Sequence, residues 1–126
     1  MGADAPSSAT AMGAVSAALQ VAGAMVQENP EAARLRYAVV SAHAELRERE
    51  LIKLADLAAA MAGALRDRGI PGSAASLAAE TGIAVYRVAS ARWIGEPGQP
   101  DLQKILRESM EELTDVLTGR LAGFSS

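Results

Sequence analysis

The residues able to do chemistry are few, and their spacing suits catalysis poorly. His43 is the only histidine and cysteine is absent, which excludes disulfides, thiolate metal sites and cysteine nucleophiles together. The acid nearest His43, Glu45, is two positions away, which is no usable metal-ligand spacing; a structural role at a helix junction is expected instead. Glu48, Glu50, Glu108, Glu111, Glu112 and Asp115 fall on polar helix faces, whereas paired acids for general catalysis need one member in a desolvated pocket. The serines have no histidine partner at a recognisable spacing. Gly69, Gly72, Gly95 and Gly98 sit in interhelix turns and not in a phosphate-cradling loop. An enzyme is not expected on these grounds, nor is a cofactor or a metal.

Binding chemistry is better represented. Leu19, Tyr37, Leu57, Met61 and Tyr86 lie on helices that would enclose a bundle interior, a common location for apolar small-molecule sites with a few placed polar groups. The phenol of Tyr86 suits an orienting role, because a buried hydroxyl wants a partner. These five are the candidate ligand-binding residues, with ordinary core packing as the alternative for each. Arg34, Arg36, Arg47, Arg49 and Lys53 make the middle of the chain locally basic, but Glu45, Glu48 and Glu50 interleave with them, so a solvated helix face is expected there. A formal charge of −3 offers no broad attraction to a nucleic-acid backbone.

The elements that must position these residues are helices throughout. Half of the 126 residues are hydrophobic, yet 28 of those are alanine and only Tyr37, Tyr86, Trp93 and Phe124 are aromatic. Alanine buries little area, so a lone domain of this size has a thin core. Alanine richness and helical spacing of the apolar positions predict five helices. The first covers about 9–27, with Val15, Leu19, Ala22 and Val26 at helical spacing. Asn29-Pro30-Glu31 is a start signal, cap then proline then acid, for a second helix over about 30–42 carrying Leu35, Tyr37 and Val39. A third, about 44–68, carries Leu54, Leu57, Ala58, Met61 and Leu65, with Glu45 and Arg49 spaced to pair; Gly69-Ile70-Pro71 ends it. Ser73 is expected to cap a fourth helix reaching about 94, and after a Gly/Pro loop a fifth fills about 101–121. Residues 1–10 are expected to be disordered, 11–121 to form one domain and 122–126 to be a tail. No apolar run approaches the roughly 20 residues that cross a bilayer, and no basic leader precedes an apolar core, so a cytoplasmic protein without membrane contact is expected.

The last two helices carry more apolar surface than a single copy would hide. On a wheel of the fourth, Leu77, Ala78, Val85, Tyr86, Val88, Ala89 and Trp93 spread over most of the circumference, and Glu80 and Arg87 share one edge within about 20°. A helix apolar nearly all round must be buried nearly all round. The apolar arc of the fifth, from Leu102 through Leu106 and Leu113 to Leu117, spans roughly 140°. The predicted architecture is therefore an all-α, five-helix orthogonal/antiparallel bundle that dimerises through its last two helices. The expected interface is Ala78, Val85, Ala89, Trp93, Leu102, Leu106, Leu113 and Leu117, with Ala78, Gly82 and Ala89 permitting close backbone approach. One compact monomer is the alternative.

Several runs carry a family resemblance. Ala33-Arg34-Leu35-Arg36-Tyr37, Ala44-Glu45-Leu46-Arg47-Glu48-Arg49, Ala64-Leu65-Arg66-Asp67-Arg68-Gly69-Ile70, Leu77-Ala78-Ala79-Glu80-Thr81-Gly82 and Val85-Tyr86-Arg87-Val88-Ala89 with Trp93 resemble the ligand-binding half of TetR-family transcriptional regulators. The resemblance spans about 11–121. It implies a homodimer through the two C-terminal helices, a small-molecule effector in the remaining bundle, and release of operator DNA when the effector biases a two-state dimer. Residues 1–10 are too short for the helix-turn-helix such regulators use. Operator binding is thus expected through a missing N-terminal domain and not by this chain alone. The alternative function is a stand-alone helical dimer acting as a protein-interaction module.

Overall fold

Helix α1 (Ser7–Gln27) leads into α2 (Pro30–Ala42), α3 (Ala44–Asp67), α4 (Gly72–Gly95) and α5 (Leu102–Thr118). The computed structural model describes the backbone of residues 7–120 and the side chains of residues 11–120. The expected disordered start is helical from Ser7 onward, whereas residues 1–6 and the tail at 122–126 lie outside the described residues. No strand occurs among the described residues, and none of the helices is long and apolar enough to cross a membrane.

The helix ends follow from local chemistry. Asn29 Oδ1 accepts from the backbone N–H of Ala32 at 3.1 Å, with Pro30 opening α2, because proline lacks the donor that the first turn would leave unpaired. At the end of α3 the N–H of Ile70 reaches the Leu65 carbonyl and that of Gly69 reaches Arg66. Gly69 sits at φ 94°, so this is a Schellman turn, and its usual apolar clasp is supplied by buried Leu65 and Ile70. Ser73 does not cap α4. That helix opens one residue earlier, Pro71 occupies the capping position with no side-chain bond, and Ser73 is left exposed inside the first turn. Asp101 caps α5 by accepting from Gln103 and Lys104 N–H groups at 3.0 and 3.4 Å. A second Schellman turn at Gly119 (φ 72°) stops α5 short of the expected 121.

Helix α4 is the centre of the bundle, packed on α1, α3 and α5, while α2 leans mainly on α3. Ala75, Ala79 and Ala89 of α4 are wholly buried. Gly82 is where α1 crosses: a Cβ there would overlap Cγ1 of Val15. The close approach foreseen for Gly82 in a dimer is therefore made inside one chain. At one end of the bundle the C-terminal ends of α1 and α4 meet the start of α5. There Gln27 Oε1 accepts from Leu102 N–H at 2.6 Å, and the Trp93 indole donates to the Pro100 carbonyl at 2.9 Å. Trp93, Leu102, Leu106 and Val15 are the largest side chains removed from solvent altogether.

Helix α2 buries none of its residues. Leu35 and Val39, expected on its apolar stripe, are exposed. His43 ends α2 and begins α3, its ring Nδ1–H donating to the Val39 carbonyl at 2.8 Å, so the histidine closes the turn of the α2–α3 hairpin. The ion pairs among the described residues are Arg36–Glu50, Arg92–Glu96 and Arg92–Glu108. The expected Glu45–Arg49 pair does not form; an exposed pair of that spacing is worth only about 0.2–0.5 kcal/mol, too little to hold two long side chains in one geometry.

Candidate functional site

Apolar residues at the C-terminal half of α4 have no full cover, because α2 and the first half of α3 stand away from it. The result is a cleft of about 720 Å³, inside the roughly 300–1,000 Å³ range of small-molecule sites. Tyr86, Trp93 and Ile94 of α4 line one side, Leu51 and Leu54 of α3 another, and Tyr37 and Val40 of α2 the third. The cleft is open to solvent along the outer face of α4, where Ala84, Val88 and Ala91 border it.

Three of its four charged groups are arginines. Arg36 donates to Glu50 at 2.7 Å and so ties α2 to α3. The Arg36 guanidinium is held above its ordinary pKa chiefly by that hydrogen bond, against partial burial, with further help from the Glu50 charge and from Tyr86. Arg47 donates to the Ser41 carbonyl, and Arg87 borders the cleft from α4. Neither Arg47 nor Arg87 pairs with a carboxylate among the described residues. Ser90, also in the lining, has a buried hydroxyl with no protein partner, a condition that costs about 1–3 kcal/mol unless something bonds to it. The Trp93 ring is fixed by its bond to Pro100 and by Arg34, whose guanidinium lies 4.6 Å from the ring centre.

Of the five candidate ligand residues, the structure brings Tyr37 and Tyr86 together in the cleft. Leu19 belongs instead to the core, buried where α1 meets the bundle. Met61 packs partly buried against that core near Gly82, and Leu57 is half exposed outside the cleft. Leu19 and Met61 face the packed interior and Leu57 faces outward, so none reaches the opening. Arg36, Arg47, Glu50 and Ser90 were not singled out as site residues. A signal existed for one pair: Arg36 and Glu50 are each seven positions from His43, so an antiparallel hairpin turning at the histidine sets them opposite one another.

The expected interface needs correcting in the same terms. Ala78, Val85, Ala89, Trp93, Leu102 and Leu106 are buried by the chain's own helices, and Leu113 is partly buried against the same core. Only Leu117, 75% exposed, faces outward. Three helices of one chain cover α4, so most of its apolar circumference is used internally. What remains outside is a narrow stripe: Leu77 and Val88, 68% and 61% exposed, with Ala84 and Ala91.

The chain matches no family model, no curated protein and no solved structure.

A functional reading therefore rests on the cleft and on the outer stripe of α4, which share Ala84, Val88 and Ala91.

Proposed function

We propose that this chain is the effector-sensing and dimerising domain of a TetR-type transcriptional regulator, taking a small amphipathic molecule into the cleft between α2, α3 and α4. The observation that carries the reading is the cleft itself: an apolar opening of ligand size, bordered by two phenols and a buried hydroxyl without a partner. One wall is α2, which buries none of its own residues. A ligand that covered Tyr37 and Val40 would add apolar contact to a helix that has little, and such differential contact is what allows a ligand to shift a conformational equilibrium.

Dimerisation in this proposal uses the outer stripe of α4 and not the residues expected from the wheel alone. Leu77, Ala84, Val88 and Ala91 fall within about 60° of arc. Glu80 and Arg87 lie together on one flank, and neither has an ion-pair partner among the described residues. If two α4 helices cross antiparallel about Ala84, a two-fold axis keeps each flank on its own side and reverses height. At a rise of about 1.5 Å per residue, Glu80 then stands within about 1.5 Å in height of the partner's Arg87. The stripe is thus self-complementary in charge, as a two-fold contact requires.

Trp93 is the only tryptophan and borders the cleft, so its emission reports occupancy directly. Titration with a panel of amphipathic molecules is expected to shift that emission saturably, and light scattering is expected to give a dimer. A monomer at micromolar concentration, or an indole signal that no panel member moves, refutes the proposal.

A further inference from the structure

Resting on the reading of the cleft as a ligand site, we infer that its ligand is an anionic amphiphile: an apolar body with a single carboxylate-like headgroup. The charge at the opening has the opposite sign to that of the whole molecule. The chain carries −3, yet the cleft is bordered by Arg36, Arg47 and Arg87 and by one acid, Glu50. Arg36 and Glu50 neutralise each other at 2.7 Å. Within one chain Arg47 on α3 and Arg87 on α4 have no carboxylate partner among the described residues, but in the proposed dimer the partner's Glu80 faces Arg87, which leaves Arg47 as the cation free for a headgroup. Arg47 spends one donor on the Ser41 carbonyl, and a guanidinium has five, so most of its fork is available to a headgroup.

The rest of the lining fits the other end of such a molecule. Leu51, Leu54, Val26 and Ile94 offer aliphatic surface, with buried Trp93 packed behind them. A cationic ligand would meet uncompensated Arg47 there, and a neutral one would leave it unused. Arginine also favours planar, bidentate binding of a carboxylate, and such charge-assisted bonds are roughly twice as strong as neutral ones.

Decanoate, decanol and decylammonium share one chain and differ in headgroup charge, which makes them the test. Binding to the full chain is followed by Trp93 emission and by calorimetry, below the concentrations at which the probes self-associate. Decanoate is expected to bind at least about tenfold more tightly than decanol, with a preference that falls as salt rises, and decylammonium more weakly than either. In Arg47→Gln the preference is expected to vanish while decanol binds as before; Arg66→Gln, on the exposed surface outside the lining, should change neither. Decanol binding as tightly as decanoate, decylammonium binding best, or a preference that survives Arg47→Gln overturns the anionic ligand and leaves the cleft as a site for neutral or cationic molecules. Failure of all three probes to bind removes the cleft as a site, and this inference with it.

Discussion

Replacing Gly82 by alanine is expected to destabilise this protein even though alanine is the better helix former. In an exposed helix the exchange stabilises by about 1 kcal/mol. Here the added methyl would overlap Cγ1 of Val15, and both residues are buried where α1 crosses α4. Overpacking of a filled core costs typically about 1–3 kcal/mol, so the two effects sum to a net loss of about 1 kcal/mol. With a urea slope of about 2 kcal/mol per molar, the unfolding midpoint followed by circular dichroism falls by about 0.5 M. The decisive arm is the same change in a Val15→Ala background. Removing the valine methyls opens the space, so Gly82→Ala should there be neutral or stabilising, and the cycle should show a coupling energy of about 1–2 kcal/mol. A midpoint that rises on Gly82→Ala in the otherwise unaltered protein, or a coupling near zero, would show that α1 does not cross α4 at this position.

Three further outcomes follow from particular contacts. Asp101→Ala removes the acceptor for the Gln103 and Lys104 N–H groups and should cost about 1 kcal/mol in denaturant melts, whereas Asp101→Asn should restore most of it. Gly69→Ala places a Cβ at φ 94° and should lower stability by about 1 kcal/mol or more; an unchanged melting temperature would mean that the Schellman turn does not form. Val88→Glu, on the outer stripe of α4, should turn the proposed dimer into a monomer by light scattering with little change in helicity, and Glu80→Arg combined with Arg87→Glu should keep it dimeric.

Local chemistry alone was enough to place α2 and α3. Proline after asparagine at Asn29–Pro30 and glycine before proline around Gly69–Pro71 act within a few residues of chain, through missing donors and permitted dihedral angles; α2 and α3 accordingly begin and end within a residue of where they were expected. Ser73 misled because proline two positions earlier already supplies an extended entry to the helix, and Gly119 was passed over because the apolar spacing runs on beyond it. Side-chain partners were a different matter. Periodicity states that α4 is apolar nearly all round, but not which neighbour covers each sector. The close crossing of Val15 on Gly82 turned Ala78, Val85 and Ala89 into core and left the outer stripe as the surface free for a second copy. Likewise the two tyrosines were legible as candidates, while the arginines around them looked like a solvated face. A wheel describes each helix against an average exterior. Only the angle at which α2 and α3 leave α4 decides that Arg47 and Arg87 border one opening, because that angle is set by packing between residues far apart in the chain.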